Sequence, residues 1–281
     1  DEQVLLSLMS SAKEVFPEVK AAFSWIQDCW YCVFPDSKPI GIAARFVHDP
    51  IYRRFVQELM QSSHTGINEL KVEILELEQF LGEKQRDLIE ELQAKVVGED
   101  DVASARSLDG KEELVVLLRN GKHMMYRMFP VHPNANGKQV RFSFNEESDG
   151  TIRLLELISP LFQAIMESHV VVIDEIGRSI HPQLLKTLLK RFSQSTTQGQ
   201  LIFTTHEAHL LDQSLFRRDE IWLSEKDPSG QTNLFPLSDF SIRHDLDIRK
   251  GYLNGRFGGV PLVHELDNLN WSAYAEEESS L

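Results

Sequence analysis

The run Val170–Ile173 leaves this chain the fewest options. Four consecutive β-branched apolar residues stand between His169 and two adjacent acids, Asp174 and Glu175. A short run of this kind is a strand buried on both faces, which is the situation of strands in a parallel sheet. Carboxylates at its C-terminal end fall at the sheet edge where α/β proteins bind ligands. One acid there could be incidental. Two need a reason, because burying an unpaired charge is costly. A Mg²⁺ ion bearing a nucleotide phosphate would be one, since Mg²⁺ takes oxygen ligands and is often held by a carboxylate, waters and phosphates.

The flanking sequence agrees with a parallel sheet. A strongly amphipathic segment, Thr151–Ser168, predicts a helix that leads into the strand. Pro182 to about Gln194 predicts another, with Leu184, Leu185, Leu188, Leu189 and Phe192 on one side. Gly199 then separates that helix from a second buried run, Gln200–Thr205. Strand, helix and strand in this order form a βαβ unit.

Upstream, residues 1–28 read as helical, with Val4, Leu5 and Leu8 on one stripe and Val19, Phe23 and Ile26 on another. Trp30–Phe34 reads as a strand, Pro35–Ser37 as a turn and Ile51–Met60 as a helix. Ile67–Val97 is ambiguous: its spacing predicts a strand over 67–74 and a helix near 83–96, with a short helical hairpin as the competitor. Gly98–Gly110 is polar and aperiodic, and reads as a loop or linker. From Glu113 the period becomes two. Glu113–Leu118 and Met124–Phe129 flank Asn120-Gly121 as a hairpin. Val131–Lys138 reads as a loop and Gln139–Phe144 as a further strand. Past residue 205, Ala208–Leu215 reads as a short helix, and Glu220–Glu225 with Thr232–Pro236 as a terminal hairpin. The expected domains are therefore 1–110, helical and mixed, which the resemblance given below makes an arm or lid; 111–263, an α/β lobe; and 264–281, an acidic tail with five acids and no Lys or Arg, expected to be disordered.

Composition narrows the class. With 42% hydrophobic and 26% charged residues, the 281-residue chain reads as globular. No apolar stretch approaches the length of a membrane span. The net charge of −14 argues against a broad nucleic-acid surface. Half of that surplus lies in Gly66–Asp101, where 11 acids face 4 bases, as on a solvated face. Arg243, His244, Arg249, Lys250 and Arg256 could touch phosphates, but Asp245 and Asp247 interrupt them, so nucleic acid is not indicated. The two cysteines, Cys29 and Cys32, form a lone C-x-x-C with no further ligand set for zinc. They read as ordinary thiols in a reducing cytoplasm, with a redox pair as the alternative. The chain opens on Asp1 without an initiator Met and is expected to be a piece of a longer one.

Three short motifs carry chemistry. Glu147-Ser148-Asp149-Gly150-Thr151 precedes a helix. A serine and a glycine there offer a hydroxyl and free backbone N–H groups to a phosphate, or else simply cap the helix. Asp174-Glu175 ends the first buried strand. Thr204-Thr205-His206 ends the next, where the His is either a sensor or a structural residue.

In conjunction they resemble the C-terminal half of an ABC-type ATPase head. The resemblance extends to bacterial OLD-like and abortive-infection ATPases, relatives of SMC and DNA-repair ATPases. The phrases DEIGRSIHP, IFTTH and KGYLNGRFGGVP carry it, over most of residues 112–262 and more faintly over 1–75. The implied fold is a P-loop NTPase head of the ABC type, a parallel sheet with flanking helices and β-hairpins, with an inserted mainly helical arm. The implied ligands are ATP and Mg²⁺. Ser148, Asp149, Gly150 and Thr151 would form the signature loop, which binds the γ-phosphate of ATP held by a second copy. Asp174 would hold the metal through water, and Glu175 would act as general base. Arg178, Ser179 and His181 would belong to the D-loop, and His206 would be the switch histidine. The sequence departs from the transporter pattern at Glu147, Thr151 and His181.

The phosphate cradle is missing. Gly110-Lys111, Gly121-Lys122 and Gly137-Lys138 each lack the preceding glycine and the following Ser or Thr of G-x-x-x-x-G-K-Ser/Thr. The chain alone is therefore expected to be inactive, with its cradle upstream. The function implied is an ATP-hydrolysing subunit that oligomerises around ATP and controls an effector protein, in phage defence. A non-hydrolysing scaffold is the alternative. A nuclease would need an acidic metal centre after the head, where only the tail follows Val263.

Overall fold

The computed structural model describes residues 17–82, 85–99, 101–106, 110–242 and 246–260. The stripe at Val4–Leu8, the cluster Arg243–Asp245 and the acidic tail fall outside them. In chain order the helices are α1 (Pro17–Cys29), α2 (Ile42–His48), α3 (Pro50–Ser62), α4 (Leu77–Leu81), α5 (Arg86–Lys95), α6 (Asp149–Met166), α7 (Pro182–Ser193) and α8 (Ile248–Leu253). The strands are β1 (Trp30–Val33), β2 (Glu69–Glu76), β3 (Val102–Arg106), β4 (Glu113–Arg119), β5 (Lys122–Pro133), β6 (Gln139–Arg141), β7 (Val170–Ile173), β8 (Gln200–Phe203), β9 (Trp222–Lys226) and β10 (Thr232–Pro236).

The chain divides into two compact units, 1–206 and 207–281. The first holds two sheets. β1, β7 and β8 form a parallel sheet in that order, with Val33, Ile173 and Phe203 in register. β7 is central, and three of its four side chains are buried, as the apolar run requires. β1, from the stretch expected to form the arm, is thus a neighbour of the strand that bears the acids.

The second sheet is antiparallel, ordered β2-β5-β4-β3, with β6 added to β5. Its two faces serve two cores. Val115, Leu117, Tyr126 and Met128 pack with α2, α3 and α6, whereas Val116, Met125 and Ala103 pack with Leu77, Ile89 and Leu92. Successive residues point to opposite faces of a strand, so 115 and 116, or 125 and 126, enter different cores.

Helix α6 is buried on almost every side, from Thr151 to Ala164. A helix apolar all round belongs inside a core. Ser148 caps its first turn and accepts from the Thr151 N–H at 3.1 Å. In the second unit the antiparallel β9–β10 hairpin and α8 close on Ile221, Leu223, Leu237, Ile242, Ile248 and Phe257.

Several local expectations change. The loop expected over 98–110 contains β3, whose backbone pairs with β4 from Val102 to Arg106. The loop expected from Val131 begins later, because β5 continues to Pro133 and pairs with β6 there. The strand expected over 139–144 stops at Arg141, and Phe144–Glu146 is a 3₁₀ turn capped by Ser143. The expected helix 208–215 shrinks to a 3₁₀ turn over Ala208–Leu210. Helix α2 was not foreseen; Gly41 starts it in a left-handed conformation, φ 81°. Among the described residues no helix is long and apolar enough to cross a membrane.

Candidate active site at the tips of the parallel strands

The three parallel strands end together. The Asp174 N–H donates to the Val33 carbonyl at 2.8 Å, and the Thr204 N–H to the Ile173 carbonyl at 3.0 Å. The Ile176 N–H donates to the Thr204 carbonyl at 3.1 Å. These bonds extend the ladder by one residue past each strand and fix where the carboxylates emerge.

Thr204 organises both acids. Its hydroxyl donates to Asp174 Oδ1 at 2.5 Å and accepts from the Glu175 N–H at 2.9 Å. Glu175 sits at φ +52°, a region that L residues rarely adopt and that surrounding structure must enforce. Its carboxylate meets His206 Nε2 at 3.0 Å. The His206 side chain is 91% exposed and that of Glu175 35%, so this pair faces solvent and is open to a ligand. Ile176 and Ile180, both buried, pin the turn that follows.

Arg178 leaves that turn and donates from Nη1 to the Pro35 carbonyl at 2.9 Å and to Asp36 Oδ1 at 3.0 Å. Ser179 has φ +61°. His181 N-caps α7, accepting from the Gln183 N–H through Nδ1 at 3.2 Å, with Pro182 at the first helical position.

The Ser148–Thr151 loop has other neighbours. Glu147 is buried against His132 Nε2 at 2.6 Å. Lys111 pairs with Asp149 at 3.0 Å and donates to the Glu147 carbonyl at 3.3 Å. Gly150 lies so close to the following turn that a Cβ there would come within 2.6 Å of the Ser179 carbonyl. Ser148 both caps the helix and meets the Thr151 hydroxyl at 2.9 Å. The capping reading of this motif is therefore realised. Capping still leaves serine lone pairs and first-turn amides at a helix N-terminus, where anions are favoured.

The structure thus brings Asp174, Glu175 and His206 into one cluster with Thr204. Arg178, Ser179 and His181 follow on the next turn. Ser148, Asp149, Gly150 and Thr151 form a second cluster against Ser179. Thr204 has one sequence signal, a hydroxyl two residues before the His, which does not by itself assign it a role. Asp36 had no signal at all, because only folding carries the end of β1 to Arg178.

Among the described residues no group of three or more His, Cys, Asp or Glu side chains could hold a metal ion. Asp174 offers carboxylate oxygen at a sheet edge, and a Mg²⁺ there would draw its remaining ligands from water and phosphate. Cys29 and Cys32 are both free thiols.

No curated protein matches this chain. A family model described as “AAA domain, putative AbiEii toxin, Type IV TA system” matches residues 42–212. That span is more than half of the chain and includes both clusters, from Ser148 to His206. The chain belongs to this family of AAA ATPase-like domains.

Proposed function

We propose that this chain is the part of a Mg²⁺-dependent ATPase that holds the water-activating carboxylate. The observation that carries the reading is the Glu175–His206 pair, exposed at the strand tips beside an Asp174 fixed by Thr204. Phosphoryl transfer asks the protein mainly for positioning and charge neutralisation. In this reading Asp174 would hold the Mg²⁺, which would neutralise phosphate charge. Glu175 orients the attacking water and takes its proton. His206, bonded to Glu175, contacts the γ-phosphate and reports its loss. Ser148–Thr151 presents first-turn amides and a hydroxyl to the γ-phosphate of ATP on a second copy, which makes the active form at least a dimer. Arg178, Ser179 and His181 line the junction. These 281 residues contain no G-x-x-x-x-G-K-Ser/Thr, so the phosphate cradle is contributed from outside them.

The biological setting rests on the family's description. ATP state would control a partner effector protein, in a toxin–antitoxin or phage-defence system of the cytoplasm. A relationship to OLD-like and SMC-type heads belongs to the same proposal.

The test is phosphate release by the intact protein that carries this chain. Glu175→Gln should lower turnover by about 10²–10⁴-fold while ATP affinity changes little, as loss of a general base predicts. Undiminished turnover in that variant would remove Glu175 from its role. ATP binding without phosphate release by the unaltered protein would instead favour a scaffold that uses ATP only to assemble.

A further inference from the structure

Buried polar and charged side chains are concentrated in one place. Among the described residues they are Glu147, Thr151, Arg153 and Glu156, all at the start of α6. Buried charge is costly unless paired and hydrogen-bonded, so this clustering calls for a reason. Glu147 has His132, and Thr151 has Ser148. Arg153 is less well served. Its Nη1 is 3.5 Å from Glu156 Oε2 and its Nη2 is 3.5 Å from the Asp174 carbonyl oxygen, both at the long limit for a hydrogen bond. Its Nε, also buried, has no partner.

These contacts close a ring around the acidic turn. Arg153 reaches the Asp174 carbonyl. Four residues on, Arg178 grips Pro35 and Asp36 beyond β1. Lys38, in the same segment, pairs with Glu156, and Glu156 returns to Arg153. A cavity of about 210 Å³, lined in part by Lys38, Glu156 and Pro160, adjoins the ring. Pro160, inside α6, cannot donate to the Glu156 carbonyl four residues back.

The peptide joining Asp174 to Glu175 is held on both sides. Its N–H donates to Thr204 Oγ1 and its carbonyl oxygen accepts from Arg153. The orientation of that peptide sets φ of Glu175, which stands at +52°. Arg153 is therefore placed to bias the peptide that carries Glu175. Arg153 is also two residues from Thr151, in the first turns of the helix whose N-terminus is the Ser148–Thr151 loop.

We propose that Arg153 is a positioning residue that couples the two half-sites of one copy. Phosphate bound at the N-terminus of α6 shifts the helix start. Arg153 then draws in the Asp174 carbonyl and holds Glu175 in its water-orienting conformation. Nucleotide on one copy would thereby set the base that serves the nucleotide on the other face. The inference rests on the ATPase reading above.

The test compares Arg153→Met and Arg153→Lys in the intact protein by phosphate release across ATP concentrations, with thermal melting alongside. The expected result is a loss in kcat of about 10–100-fold for Arg153→Met, the scale of a displaced catalytic group, with KM within about threefold of the parent. Arg153→Lys should restore part of kcat at unchanged KM, because one cation can reach the carbonyl but cannot fork to Glu156 as well. Unaltered kcat in Arg153→Met overturns the inference, as does a rise in KM that accounts for the whole loss. If Arg153→Met does not fold, Arg153→Lys decides alone: it should melt with the parent yet turn over more slowly, and parental kcat overturns the inference. Glu175→Gln in parallel separates the two claims. Full turnover there sinks the ATPase reading itself, whereas a dead Glu175→Gln beside a fully active Arg153→Met sinks only the coupling.

Discussion

Single side chains set the geometry here, some through local caps and some through hydrogen bonds that reach across the fold. Asp49 accepts from the Ile51 and Tyr52 N–H groups and so caps α3. The Tyr52 N–H bond, foremost, holds its carboxyl below the usual range. A depressed acid stabilises the fold above its unfolded pKa, and that stability is lost as pH falls through the folded value. Asp49→Ala should cost about 0.5–2 kcal/mol at neutral pH and progressively less in acid, read by denaturant unfolding at both pH values. Glu113 has the opposite sign. Burial pushes its carboxyl up, against the opposing pull of the Gly41 N–H bond and Arg106. Its ionisation therefore opposes folding once pH rises through the usual carboxylate range toward the raised value. Glu113→Gln should gain thermal stability relative to the parent between about pH 4 and pH 8, since the amide keeps an acceptor for Gly41 without the buried charge. A parallel pair of melting curves over that range would contradict it.

At the scale of elements, α6 is the part on which the two sheets and the site depend. Its end is packed against the turn into β8 so closely that a Cβ on Gly199 would lie 1.9 Å from the Ala164 carbonyl oxygen and 2.9 Å from that of His169. Gly199→Ala must move backbone, not a flexible side chain. We expect destabilisation of about 1–3 kcal/mol or more, with the β7–β8 pairing most affected in hydrogen exchange. Periodicity located α6, β7 and α7 because each is long or apolar enough to carry its own signal. It failed for β3 and α2. Val102–Arg106 is short and built mostly of small residues with little strand preference of their own, and its backbone pairs with β4 along its length. Ile42–His48 lies behind Pro39 and Gly41, whose turn chemistry masks a helix with four buried side chains.

For the molecule as a whole, the chain holds a carboxylate cluster and a helix-start cluster that meet through Ser179 and Arg153. In the proposed mechanism neither is complete in one copy. The intact Glu175→Gln protein should therefore run as a dimer or larger species by light scattering in Mg²⁺ and ATP, and smaller without ATP. Ser148→Arg, which places bulk at the proposed interface, should abolish the ATP-dependent shift. An oligomer indifferent to ATP in both proteins would argue that the Ser148–Thr151 loop faces no second nucleotide. Part of the fold around the candidate site was readable from residues alone. The apolar run Val170–Ile173 determined a buried strand, its two acids determined where charge must emerge, and His206 stood past the next strand; the burial expected of that strand, Gln200–Thr205, is not met, because β8 lies at the sheet edge with its side chains half-buried or exposed. Those are local facts, set by side-chain polarity along short continuous runs. Only the tertiary structure decided that β1 lies beside β7, that Thr204 clamps both acids, and that a buried arginine from α6 reaches the back of Asp174. Contacts between residues 20 or more positions apart in sequence leave no periodic trace, since they depend on which surfaces the packed elements present to one another.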